Sequence, residues 1–224
     1  MEGRRLMWQG LCGLCLMSAT MGWGQTTPTT ATLKVGEVDL ARSRVFIFVG
    51  KTGLGHDHGV VGQLKSGVLH LGAKQQAGQL VFDMKTFVAD TPEARRFVGL
   101  SGETDAKTRK AVTQNMLGAD VLDAAKYPTA TFNISSSLAT APPNAKSPPL
   151  FILDGQFTLH GVTKPLRLTI QVEEDSSSAH VRGGFSIRQT DFGITPYSKA
   201  FGAIGVADTL KIWGDLWVGA TTQP

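Results

Sequence analysis

"LRLTIQVE", residues 166–173, alternates without a fault: Leu166, Leu168, Ile170 and Val172 fall on one side, Arg167, Thr169, Gln171 and Glu173 on the other. Period-2 alternation is the signature of a strand with one dry and one wet face, because successive side chains of an extended chain point to opposite sides of the sheet. Outward from this stretch the same pattern recurs, less regularly, at Ser43–Val49, Val60–Leu64, Gly67–Leu71, Gln79–Phe87, Thr129–Leu138, Phe151–Leu159, His180–Arg188 and Thr209–Val218. Turn clusters punctuate these runs at Lys65-Ser66-Gly67, Gly72 to Gly78 and Asp175-Ser176-Ser177-Ser178. Eight or nine antiparallel strands suffice to close a barrel, and closure removes the edges that an open sheet must protect. The predicted class is all-β, an eight-stranded antiparallel barrel with a short helical insertion.

The insertion lies between the fourth and fifth runs. Thr91-Pro92-Glu93 reads as an N-cap followed by proline at the first helical position, and a second helix is expected from about Asp105 to Leu117 with Gly118 as its stop. Ala106, Val112, Met116 and Leu117 give that helix an incomplete apolar stripe, so it is expected to lie against the barrel, over one end. Residues 139–149, ATAPPNAKSPP, read as a proline-rich hairpin loop, since alternation resumes at once beyond them. No internal repeat of fixed period is visible.

At the front, Arg4 and Arg5 precede a mostly apolar stretch to Thr20 and the triplet Gly22-Trp23-Gly24. This is the pattern of a secretory signal peptide spanning residues 1–24, cleaved after Gly24, and it predicts a periplasmic or secreted protein. The stretch is shorter than the roughly 20 residues needed to span a bilayer, and no later segment is apolar enough. Residues 25–34 read as a flexible lead, 35–218 as the barrel domain and 219–224 as a tail, with folded structure beginning near residue 33. Cys12 and Cys15 both fall in the leader, so their spacing is neither a redox motif nor half of a zinc site. The net charge is +4 for 224 residues, and basic residues are scattered singly among acids. Nucleic acid, which asks for a dense basic face with interleaved aromatics, is not an expected partner.

Several catalytic motifs are approached and missed. VFIFVGKT, residues 45–52, would need glycine at position 45 to be a phosphate loop, and Val45 stands there. Asp191-Phe192-Gly193 lacks the catalytic-loop signature that a kinase would place before it. No serine sits in a G-x-S-x-G elbow. GHDHGVVG, residues 55–62, is the strongest alternative: on an extended strand His56 and His58 project to one side with Asp57 opposite, a spacing that chelates zinc or copper. Nothing places a third ligand, His160 or His70, beside the pair, and the bland reading is a glycine-flanked bend at a barrel rim. No catalytic residue, metal ligand or cofactor is assigned.

Three stretches together resemble the YceI-like family of exported isoprenoid-binding barrels: KYPTATF at 126–132, GQFTLHGVTKPLRLTI at 155–170, and IRQTDFGI at 187–194 followed by VADTLKIWGDLWV at 206–218. The likeness extends over about residues 35–218. It implies a lipocalin-like barrel whose internal cavity holds a polyisoprenoid chain, such as an isoprenoid quinone tail, and a non-enzymatic role in binding, storage or transport. The chain departs from the family where many members carry Asp and His in the helix before YP; those positions fall on Thr113 and Asn115.

Given that resemblance, period 2 nominates the lining as Val45, Ile47, Leu80, Phe82, Phe132, Ile134, Leu153, Phe157, Leu168, Ile170, Phe185 and Ile187, expected to contact a polyisoprenoid or other long-chain amphiphile. The rival to a carrier is a solid barrel that docks a partner through outer Trp213 and Trp217; a homodimer is left open. His160 is expected to hold the corner between two strands by donating to a neighbouring carbonyl, with Gly161 supplying the turn's conformational freedom and Pro165 starting the next strand. Arg188 and Asp191 are expected to pair at the following corner.

Overall fold

The computed structural model describes residues 33–142, 144, 146–175 and 177–220. The expected signal peptide and most of the lead lie outside these residues.

Nine strands form one antiparallel sheet: β1 (Arg44–Gly53), β2 (His58–Leu69), β3 (Gly78–Ala89), β4 (Thr129–Thr140), β5 (Leu150–Leu159), β6 (Val162–Glu174), β7 (Ser178–Arg188), β8 (Ser198–Lys199) and β9 (Ile204–Gly219). Each strand from β1 to β7 pairs with the next, β7 pairs with β9, and β9 returns to β1, so eight long strands close a barrel and two-residue β8 is a flap on β9. Up-and-down order places the connections alternately at two ends. The β2–β3, β4–β5 and β6–β7 loops share one end with both termini of the sheet; the β1–β2 loop, the helices, the β5–β6 turn and the β7–β9 connection share the other.

At the first end, β2 and β9 run on past the start of β1, and the N-terminal segment fills the gap. The Val38 amide donates to the Gly67 carbonyl at 3.0 Å and the Asp39 amide to the Trp217 carbonyl at 2.8 Å, while the Val38 side chain is buried. This explains why Lys65-Ser66-Gly67 is not the expected turn. β2 is one continuous strand with a bulge, its pairing to β3 slipping between Leu64 and Ser66. A bulge absorbs an extra residue without ending the ladder, and Gly67 is small because a Cβ there would meet the Val38 side chain at 2.7 Å.

At the second end, Thr91 caps α1 (Pro92–Phe97) through the Ala94 amide at 3.0 Å, and Asp105 caps α2 (Ala106–Leu117) through the amides of Lys107 and Thr108. Both match the sequence signals. Ala94 and Val98 of the α1 segment pack with Phe46 and Val61 in a small cluster on the outer wall, and the Phe97 ring stacks on Phe46 at 3.8 Å. α2 has no fully buried residue; its Val112 and Met116 pack against the main core inside the barrel.

The β5–β6 hairpin shows why a histidine can occupy its corner. Leu159 pairs with Val162, so His160 and Gly161 are the two loop residues, with φ of 50° and 76°. Two positive φ values are the demand of a type I′ turn, the hairpin turn whose twist matches the strands. Histidine is among the few non-glycine residues enriched in that region. β6 thus begins at Val162, three residues before Pro165. Counting outward from the Leu159–Val162 pair, ladder bonds recur at every second pair, and Gln156–Pro165 is one of the unbonded ones. The Pro165 nitrogen therefore points away from β5, toward a side where β6 has no partner, because β7 joins it only from Ile170 onward. Proline costs nothing there.

Candidate functional site: the barrel cavity

The inward faces do not meet. They enclose a cavity whose volume open to the centres of water molecules is about 210 Å³, lined by residues from the barrel strands and the α2 region. Val45, Ile47, Leu80, Phe82, Phe132, Leu153, Phe157, Leu168, Ile170, Phe185 and Ile187 all line it, so the alternation placed them on the correct face. Ile134, buried in the same core, faces Gly78 and Gly155 across its two ladders and does not line the cavity.

Sequence reasoning did not find the contribution of the insertion: Val112, Asn115 and Met116 of α2, then Val121 and Leu122, line the cavity too. The only available signal was the incomplete stripe of α2. Along β9 the lining runs from Val206 to Leu216. Ten residue steps make about 33 Å of strand, or about 25 Å along the barrel axis at the usual tilt of about 40°.

Among the described residues the lining contains no lysine, arginine, aspartate or glutamate, and its polar side chains are His58, Asn115, Gln189 and Tyr197. Gln189 is spent locally, its Nε2 donating to the Ala207 carbonyl at 2.8 Å. Asn115 Nδ2 donates to the Tyr197 hydroxyl at 3.2 Å.

His58 opens β2, and His56 precedes the strand as an exposed residue, so the two do not share a strand face. Instead His58 Nδ1 lies 2.6 Å from Oδ2 of Asp90, a carboxylate that is only 2% exposed. Asp90 Oδ1 accepts from the Gly59 amide at 3.1 Å and from Arg95 at 3.3 Å. Burial alone would raise the Asp90 carboxyl; the His58 hydrogen bond and charge, the Gly59 amide and the Arg95 guanidinium together outweigh it and hold the group below its ordinary value. Arg95 is itself committed, donating also to the carbonyls of Gly102 and Ser101. Among the described residues no three His, Cys, Asp or Glu gather as a metal cluster.

The other singled-out residues serve the wall. His160 Nδ1 lies 3.3 Å from the Phe192 carbonyl and its ring sits 4.4 Å from Tyr127. Arg188 pairs with Asp208 at 2.9 Å rather than with Asp191, because Asp208 on the neighbouring β9 also takes the Thr190 amide at 2.9 Å and hydroxyl at 2.8 Å. Only the tertiary fold brings Asp208 across 20 residues of chain. Trp217 is half-buried, stacked on His180 at 4.2 Å with the Arg42 guanidinium 3.5 Å over its ring; Trp213 meets Phe97 edge-on.

Among solved structures, BcnA of Burkholderia cenocepacia is similar, with a TM-score of 0.52 at 19% identity over 81% of this chain and 99% of its own. A Campylobacter jejuni YceI protein aligns at 13% identity and a TM-score of 0.47, over 71% of this chain and 84% of its own. No curated protein matches the chain. The family model of the YceI-like domain matches residues 37–216, from the strap that closes one end of the barrel almost to the end of β9. With the closed antiparallel barrel and that match across its whole length, the chain belongs to the YceI-like family.

Proposed function

We propose that this protein is a non-enzymatic carrier or store for a polyisoprenoid lipid, such as an isoprenoid quinone, exported to the periplasm by the leader at residues 1–24. The observation that carries the reading is the cavity: long, apolar and, among the described residues, lined by no lysine, arginine, aspartate or glutamate. Transfer of hydrocarbon from water contributes about 0.8 kcal/mol per methylene, so a tail laid along such a lining is held without any specific polar contact. The eleven residues nominated by the alternation that line the cavity are the proposed tail contacts.

Organic extraction of the purified protein followed by mass spectrometry is the test. A stoichiometric long-chain isoprenoid is expected. An extract with none, together with failure of the stripped protein to take up a long-chain polyprenyl probe, sinks the reading.

A further inference from the structure

We propose that the cavity terminates, at the helical end of the barrel, in a headgroup site made by His58, Asn115 and Tyr197, and that this site takes an uncharged head bearing a hydroxyl, as in a polyprenyl alcohol or a quinol, rather than a diphosphate. The inference rests on the carrier reading and specifies its ligand.

Three polar side chains of the lining keep hydrogen-bonding capacity. Asp90, which is not part of the lining, takes His58 Nδ1, so the ring nitrogen left for a ligand is Nε2, which has no protein partner among the described residues. The Tyr197 oxygen already accepts from Asn115 Nδ2, which frees the phenolic proton to donate and leaves Asn115 Oδ1 to accept. The three belong to one end of the molecule. The Ala89 amide donates to Thr113 Oγ1 at 3.1 Å, tying α2 to the residue before Asp90, and Tyr197 is joined to Asn115 two positions further along α2.

The Tyr197 hydroxyl can donate, Asn115 Oδ1 can accept, and His58 Nε2 is the third polar atom left over; a hydroxyl, which both gives and accepts a hydrogen bond, matches such a set. A diphosphate asks for several cations, yet among the described residues no lysine or arginine lines the cavity: the Lys199 ammonium lies 5.6 Å over the Tyr197 ring without being part of the lining, and Arg95 is occupied by Asp90 and two carbonyls. Burying an anion without a partner is prohibitive. The buried carboxylate behind His58 acts as its orienter, as carboxylates commonly do for functional imidazoles.

The test uses the stripped mature chain at pH 8. Three probes share one tail: geranylgeraniol, the hydrocarbon in which hydrogen replaces the hydroxyl, and geranylgeranyl diphosphate. The alcohol is expected to bind about ten-fold more tightly than the hydrocarbon, with the diphosphate weaker than the alcohol. Tyr197→Phe and His58→Phe should each lower alcohol affinity toward the hydrocarbon level while hydrocarbon affinity stays within two-fold. Should His58→Phe not fold, the half-buried Tyr197 decides through Tyr197→Phe alone. Equal binding of alcohol and hydrocarbon by the wild type, tightest binding of the diphosphate, or an undiminished preference in Tyr197→Phe overturns the headgroup site alone. No uptake of any of the three overturns the carrier reading with it.

Discussion

His160 shows how much one side chain can be asked to do without any chemistry. It accepts a left-handed backbone at the first position of a type I′ turn, packs against Tyr127 and reaches the Phe192 carbonyl. Any Cβ is strained at that φ, but alanine lacks the tolerance of the region that histidine shows, and it forfeits a hydrogen bond worth about 1 kcal/mol. His160→Ala is therefore expected to lose more than about 1 kcal/mol in denaturant unfolding, while His160→Asn, which tolerates the turn, loses less; equal losses would show that backbone strain is not part of the cost. Asp90 makes a different demand. Its folded carboxyl lies below the ordinary value of 3.8, so its stabilising contribution is complete above pH 3.8 and fades as pH falls from there through the folded value. Asp90→Asn leaves Arg95 and His58 without their anion and is expected to cost about 3 kcal/mol at pH 7. The gap in melting temperature between the two proteins should narrow as the pH drops below about 3.8; a gap that is constant down to pH 3 refutes the linkage.

At the scale of the element, β2 and β6 carry the lesson. Lys65-Ser66-Gly67 has the composition of a turn, and the pattern on either side breaks phase there. A bulge also breaks phase, and local sequence cannot distinguish the two; what settles the matter is Val38 arriving from 29 residues upstream to sit against Gly67. Gly67→Val is accordingly expected to expel Val38 and open that end of the barrel, costing about 2–3 kcal/mol, with amide exchange rising at Val38 and Asp39 before the rest of the sheet. Exchange that rises uniformly would mean the strap is not the element disturbed. In β6 the stretch before Ile170, paired with β5 but not with β7, carries Lys164, Pro165 and Arg167, which guard that exposed side against pairing with another chain.

For the whole molecule, the decisive property is that the inward face is apolar yet does not fill the barrel. Leu168→Trp, at a half-buried lining position on β6, is expected to occupy part of the space. Because the ring enters a void, the change should cost under about 1.5 kcal/mol of stability, as volume is added without overpacking, while isoprenoid recovered by extraction falls several-fold. Unchanged lipid content would place the ligand elsewhere.

Taken alone, the sequence determined most of the elements and their faces: alternation from Leu166 to Glu173 and its echoes, the Thr91 cap and Gly118 stop, and, except for Ile134, the inward set from Val45 to Ile187. These depend on backbone periodicity and on groups within a few residues of one another, which a linear string records directly. Only the tertiary structure decided that the ring closes between β1 and β9, that Val38 and α2 lie at opposite ends, and that Arg188 meets Asp208 and His58 meets Asp90. Whether an apolar interior is solid or hollow was also settled there. Pairing partners and empty volume depend on distances between residues far apart in the chain, and no pattern of neighbours encodes a distance.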